Sequence, residues 1–164
     1  MSTENFTRWY VAGLHALRSA SEQGCEAATL LHDKAAGDEI RALLVQYRQI
    51  TDEQQRSYVG FLKELNVEPT DFKDRIMEGV GAGTAEMLKA APDQDLLDLS
   101  VISGCVSGLD YYVGAFKDQA ALANRLGLDR QAATMQSMEA AAQRLRDRFF
   151  AAAETVRAKA TVEG

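Results

Sequence analysis

The two histidines of the chain are the first candidates for chemistry, because imidazole serves both as an acid–base group and as a metal ligand. His15 and His32 fall in the same predicted helix, the first one. A di-iron site in a four-helix bundle takes a Glu-x-x-His pair from each of two helices and one glutamate from each of the other two. The residues three positions before the histidines are Ala12 and Thr29, and no later segment contains a histidine. The usual di-iron site therefore cannot form, and we interpret both histidines as structural.

Acidic side chains are the second set of candidates, because carboxylate oxygens suit iron and manganese even without histidine. Glu22 and Glu26 lie one turn apart beside the predicted inward face of the first helix, and we interpret them as solvated or as part of a subunit contact. Asp110 lies on the predicted inward face of a later helix, where an unpartnered carboxylate is costly or takes up a proton. We expect it to hydrogen-bond to a polar neighbour and fix the helix register; a binding-site anchor and a remnant metal ligand are the alternatives. A site with rebuilt ligands would draw on Glu22, Glu26, Glu53, Asp110 and Glu139.

The two cysteines, Cys25 and Cys105, could supply a thiolate, but their spacing matches no metal-binding motif. Nucleophilic catalysis would also need a base beside the thiol, and no histidine is predicted near Cys105. We expect two reduced thiols packed in the fold, as is usual in a reducing compartment.

A cluster of glycines, Gly79, Gly81 and Gly83, falls inside a short predicted helix and weakens it by about 1 kcal/mol each relative to alanine. Their spacing matches neither a P-loop nor a dinucleotide-binding fingerprint, and no predicted strand precedes them. We therefore expect the glycines to allow close packing against another helix.

The composition limits the class of protein. With 164 residues, of which 46% are hydrophobic and 26% charged, the chain has the size and balance of one globular domain. A formal net charge of -6 opposes non-specific binding of nucleic acid, which needs a basic surface. The first residues resemble no secretory signal, and the apolar run 101–106 is too short to cross a bilayer. We therefore expect a cytoplasmic protein that binds neither nucleic acid nor membrane.

Helical periodicity runs through the sequence, and no alternating strand pattern interrupts it. The pattern predicts helices over roughly 4–35, 38–65, 74–90, 93–125 and 129–160 of a single domain, 1–164. Short connections make consecutive long helices antiparallel neighbours. The prediction is an all-α, up-and-down four-helix bundle with a short extra helix between the second and third long helices. In helix 93–125 the predicted inward residues are Leu96, Leu99, Ser103, Val106, Asp110, Val113, Lys117 and Ala120.

Several short segments carry a resemblance to a known family. Met77–Val80 and Glu86–Leu88 resemble the short middle helix of the YciE/YciF ferritin-like family, and residues 120–129 resemble the turn between its last two long helices. Thr51 and Gln54 fit its second helix. The resemblance implies a ferritin-like bundle, generally dimeric, associated with bacterial stress responses and often carrying a metal pair.

Carried over position by position, the metal ligands of that family are mostly replaced. The first-helix glutamate falls on Ser21, the second-helix histidine and carboxylates on Tyr47 and 49–50, the third-helix acidic pair on Ser107 and Asp110, and the last-helix glutamate on or next to Ala142. One retained acid does not make a metal site. We therefore expect no cofactor, with iron or manganese as the alternative.

Small residues dominate the predicted centre of the bundle, which leaves two outcomes open. Either the helices approach one another closely there, or a pocket with few polar groups remains. The candidate pocket residues are Ser21, Tyr47, Gln54, Ser107, Asp110, Tyr111 and Ala142.

The sequence favours a non-enzymatic ferritin-like protein with a degenerate metal site, which acts as a homodimer or by binding a protein partner. Trp9 would make a good interface anchor if it faces outward. A ferroxidase-like or iron-handling protein with rebuilt ligands is the first alternative. A small-molecule carrier that uses the bundle core is the second.

Overall fold

The computed structural model describes residues 2–159 as five helices, with no strand among them. They are α1 (Thr3–His32), α2 (Asp38–Glu64), α3 (Arg75–Ala90), α4 (Gln94–Arg125) and α5 (Asp129–Arg157). α1 packs along α2 and α4 along α5, while contacts of α1 with α4 and of α2 with α5 close the bundle. The short helix α3 lies against α1 and α4. The predicted all-α four-helix bundle with one extra short helix is confirmed.

The turn between α1 and α2 begins earlier than predicted, because α1 ends at His32 instead of near Ala35. The backbone N–H groups of Ala36 and Gly37 donate hydrogen bonds to the two carboxylate oxygens of Asp98, at 2.9 and 3.1 Å. These bonds to α4 replace the helical bonds that would extend α1. Gly37 keeps a negative φ of -69°, so the left-handed conformation to which glycine is suited is not used here.

The inward faces of α1, α2 and α5 agree with the periodicity of the sequence. On α1 the buried residues include every predicted member of the seam within the helix, namely Tyr10, Leu14, Leu17, Ser21, Gly24, Ala28 and Leu31. Each of these helices has a polar outer side, so its apolar stripe identifies the buried face.

The predicted inward face of α4 is wrong. Of its eight predicted inward residues only Ala120 is buried; the buried face carries Asp98, Val101, Ile102, Cys105, Leu109, Tyr112 and Phe116. α4 contacts α1, α3 and α5, so apolar residues occur on several of its sides and no single stripe marks the core. The same composition makes α4 the one described helix long and apolar enough to cross a membrane, and its packing against three helices accounts for that composition.

Candidate functional site

The centre of the bundle is filled by aromatic rings. Tyr47 of α2 lies against Tyr112 of α4 and Phe149 of α5, with ring centroids 6.4 Å apart in both pairs. Phe116 stacks on Tyr112 at 5.5 Å, and Tyr58 lies 6.3 Å from Phe116. All five side chains are buried, and we call them the aromatic column. The rings occupy the place where the sequence predicted either closely approaching helices or a pocket.

Two glycines make room for the tyrosine hydroxyls of the column. The Tyr112 hydroxyl donates a hydrogen bond to the backbone oxygen of Ala20 at 2.6 Å. A Cβ added at Gly24 would lie closer than 3.0 Å to that hydroxyl, and one added at Gly108 would lie 2.6 Å from the hydroxyl of Tyr47. Gly24 and Gly108 therefore accommodate tyrosine side chains. The sequence had predicted either close approach of the helices or a pocket at this place, and neither outcome included such a role.

Burial keeps the polar groups of the column uncharged. Desolvation raises the pKa of Tyr47 and of Tyr112 well above the ordinary value for tyrosine. Desolvation also raises the pKa of the neighbouring Cys105 thiol to about 12. These groups are therefore neutral at physiological pH and offer no negative charge to a cation.

Four of the predicted pocket residues are buried as expected, namely Ser21, Tyr47, Gln54 and Ala142. The Ser21 hydroxyl donates to Gln54 Oε1 at 3.3 Å, and Gln54 Nε2 has no hydrogen-bond partner among residues 2–159. The polar members of this group are a hydroxyl, a phenol and an amide, all of them neutral.

The other three predicted pocket residues lie elsewhere, because the inward face of α4 was misplaced. Ser107 is exposed, and its hydroxyl donates to the backbone oxygen of Ser103 at 2.9 Å. Asp110 is also exposed and pairs with Arg146 at 3.0 Å, so it is neither a buried carboxylate nor a core anchor. Tyr111 is half-buried and donates its hydroxyl to Asp74.

Two buried carboxylates, Asp74 and Asp98, were missed as structural residues. Asp74 caps α3 by accepting a hydrogen bond from the Met77 N–H at 2.8 Å, while its own N–H donates to Ser19 of α1 at 3.0 Å. An aspartate at the start of the predicted helix 74–90 was the available signal for this cap. Asp98 gave no such signal, since its partners in the turn between α1 and α2 are about sixty positions away.

A cleft of about 400 Å³ runs between α1 and α3, outside the bundle core. We call it the α1–α3 cleft. Its walls are mainly apolar or small side chains of the two helices, and its floor includes Tyr47, Gly104 and Cys105. The sequence predicted a pocket in the core, and of its candidate residues only Tyr47 lines this cleft.

Comparison with known proteins identifies the family. The model of the family described as "Domain of unknown function (DUF892)" matches residues 5–161. The chain belongs to this family. A search of curated proteins finds no match.

Two solved structures share the fold of this DUF892 member. The Escherichia coli stress protein YciF superposes with a TM-score of 0.88 at 17% identity, over 98% of this chain and 100% of that one. YcfI from Rhodopseudomonas palustris gives a TM-score of 0.71 at 16% identity, over 95% of each chain. The predicted resemblance to the YciF-like family and the ferritin-like helical bundle are confirmed.

The residues of this DUF892 member do not fit the metal pair that the resemblance implies. The central positions hold neutral hydroxyls, an amide and aromatic rings, whereas such a pair is held by carboxylates and imidazoles. The acids named as rebuilt ligands are dispersed: Glu22 pairs with Arg18 at 3.3 Å, Glu26 and Glu53 are exposed, and Glu139 accepts from Gln143 at 3.3 Å. Residues 2–159 bring together no group of three His, Cys, Asp or Glu side chains that could hold a metal ion.

Proposed function

We propose that this DUF892 member is a non-enzymatic helical-bundle protein, cytoplasmic and associated with stress, that acts by self-association or by binding a protein partner. The observation that carries the proposal is the aromatic column, because it fills the centre of the bundle with neutral groups. A ferritin-like bundle without acidic central ligands keeps its shape through packing, and its remaining means of action is its surface. The description of YciF as a stress protein suggests the stress association.

The surface offers apolar side chains that suit a homodimer or a partner. Trp9 is 65% exposed on α1, and Ile76 is 63% exposed on α3. Tryptophan is among the residues that contribute most to the free energy of binding at protein interfaces. An outward-facing Trp9 meets the condition under which the sequence predicted it to be an interface anchor.

Elemental analysis tests the first half of the proposal. Protein purified from cells supplemented with iron and manganese is expected to contain far less than one metal ion per chain. Stoichiometric iron or manganese that survives dialysis against a chelator would contradict the proposal and restore the ferroxidase-like alternative.

Light scattering after size-exclusion chromatography, over a range of concentrations, tests the second half. We expect the mass of a dimer, and a weaker dimer for Trp9→Ala than for Phe150→Ala, an exposed aromatic on α5 that serves as the control. A monomer at all concentrations leaves a partner protein as the proposed route. Affinity capture with wild type and Trp9→Ala then decides, and capture that does not depend on Trp9 would reject the surface assigned here.

A further inference from the structure

We propose that the α1–α3 cleft is a binding site for a long-chain carboxylate, with the hydrocarbon chain along the cleft and the carboxylate at Lys34. The cleft is distinct from the bundle centre, and this proposal does not depend on whether the protein forms a dimer. Its volume of about 400 Å³ falls within the range of roughly 300–1,000 Å³ that is usual for small-molecule sites.

The shape of the cleft fits an extended chain. Its lining runs from Gln23 to Leu31 on α1 and on to Lys34 in the turn that follows, and from Met77 to Leu88 on α3. At a rise of about 1.5 Å per residue both walls are roughly 15 Å long. Gln23 donates a hydrogen bond to the backbone oxygen of Asp74 at 3.0 Å, which fixes the start of α3 beside this part of α1. At the other end, Gln94, just beyond α3, donates a hydrogen bond to the backbone oxygen of Lys34 at 3.3 Å, so the two walls run side by side in the same direction.

Small side chains give the cleft its depth. Ala27 of α1 and Gly81 and Ala85 of α3 face it from the two walls, while Met77 and Leu88 provide apolar surface at its two ends. Burying hydrocarbon against such walls contributes about 25 cal/mol per Å² of apolar surface removed from water. Because α1 and α3 contact each other, the cleft between them suits a single hydrocarbon chain better than a helix, which is about 10 Å wide.

The charges at the rim select the head group. At the end of the cleft where α3 begins, Lys73 and Arg75 both pair with Glu78, at 2.7 and 2.5 Å, so each cation there already has a carboxylate partner. Glu26 is exposed further along the α1 wall. Lys34 is exposed, lines the opposite end and forms no salt bridge with another residue of the range 2–159. Its free ammonium group is complementary to an anionic head group there.

The chain offers a matched pair of variants to test occupancy of the cleft. Gly81 and Gly83 both lie in α3, and a Cβ added at either would meet no atom within 4 Å beyond its own helix. Only Gly81 is part of the cleft lining. Gly81→Leu therefore fills the cleft without disturbing the core, whereas Gly83→Leu places the same side chain outside it.

The measurement is isothermal titration with laurate below its critical micelle concentration, on wild type and on both variants, after thermal melts have established that each is folded. We expect one laurate per chain for wild type and for Gly83→Leu, and at least a tenfold weaker association for Gly81→Leu. Absence of binding to the wild type, or equal weakening by both variants, overturns the proposal.

The head group is tested with Lys34→Glu and with dodecyltrimethylammonium as a cationic probe of similar length. We expect Lys34→Glu to weaken laurate binding several-fold at low salt and less at high salt, and wild type to prefer laurate over the cation. Equal binding of both probes, or no effect of Lys34→Glu, refutes the assignment of a carboxylate to Lys34.

Discussion

Replacing Gly24 by alanine perturbs the aromatic column with a single methyl group. The new Cβ would lie closer than 3.0 Å to the Tyr112 hydroxyl, which is buried and hydrogen-bonded to Ala20. In an unconstrained helix interior the change would stabilise the protein by about 1 kcal/mol. Overpacking costs about 1–3 kcal/mol, and disturbing the hydroxyl's hydrogen bond costs about 1 kcal/mol more. The net expectation is a loss of about 1–3 kcal/mol in the free energy of unfolding.

Urea denaturation followed by circular dichroism measures this loss, and a double-mutant cycle with Tyr112→Phe assigns it. The nearest ring atom, Tyr112 Cζ, would lie 3.4 Å from the new Cβ, which is ordinary van der Waals contact. Thr51 Cγ2 would lie 3.1 Å from the same Cβ, so without the hydroxyl Gly24→Ala should still cost some stability, but less than in the wild type. The coupling free energy should be at least about 1 kcal/mol. Gly83→Ala is the control, because its Cβ would meet open space and the substitution should stabilise α3 by about 1 kcal/mol.

Two results would refute this account of the centre. One is that Gly24→Ala stabilises the protein as much as Gly83→Ala does. The other is that the effects of Gly24→Ala and Tyr112→Phe simply add. Either result would mean that the hydroxyl does not occupy the space beside Gly24, and the centre of the bundle would be open to other groups.

Three further predictions concern buried polar groups. Asp98→Ala leaves two backbone N–H groups of the turn between α1 and α2 without partners and should lower the free energy of unfolding in urea by about 2–4 kcal/mol. Asp95→Ala, at an exposed position, is the control and should cost less than about 1 kcal/mol. Equal losses would contradict the role assigned to Asp98. Burial raises the pKa of Cys105 to about 12, so this thiol should resist labelling by a disulfide reagent at pH 8, whereas the partly exposed Cys25 should react. Mass spectrometry of the labelled peptides measures both reactions. Rapid labelling of both thiols would contradict the burial of Cys105. Because burial raises the pKa of Tyr47 above its ordinary value of 10.0, its neutral form stabilises the fold below pH 10, and that contribution is lost as the pH rises further. In denaturant melts above pH 10, the stability of Tyr47→Phe should therefore fall less steeply with pH than that of the wild type. An unchanged slope would contradict the burial of the Tyr47 hydroxyl.

The helices and three of the four long buried faces were predictable because each such helix has one apolar stripe and a polar outer side. Ile40, Leu43 and Tyr47 on α2 recur at helical spacing and are all buried. α4 could not be treated this way, since it packs against three helices and carries apolar residues on several sides. Asp110 was placed inward only because it falls in register with Val106 and Val113, which are themselves half-buried.

The content of the bundle centre was not predictable from small residues alone. A glycine in a helix is compatible with a neighbouring backbone, with empty space or with a large side chain from another helix, and the sequence does not distinguish these. Gly24 and Tyr112 are far apart in the sequence, so only the packed fold brings the hydroxyl to the glycine. The glycines of α3 give the opposite case: Gly79, Gly81 and Gly83 were predicted to pack closely, yet a Cβ at each would meet nothing beyond its own helix within 4 Å.

The distribution of buried polar groups follows the supply of hydrogen-bond partners. A carboxylate at the bundle centre needs a cation or several donors, because its desolvation is costly. A tyrosine hydroxyl needs only one acceptor, and the Ala20 carbonyl provides it for Tyr112. Asp98 remains buried as a carboxylate at the end of the bundle, where the turn exposes two backbone N–H groups that no helix uses. The two buried acids, Asp74 and Asp98, therefore lie where backbone N–H groups are available as donors, and the buried phenols lie where they are not. This explains how a ferritin-like bundle can fill its centre without the charged ligands of a metal pair.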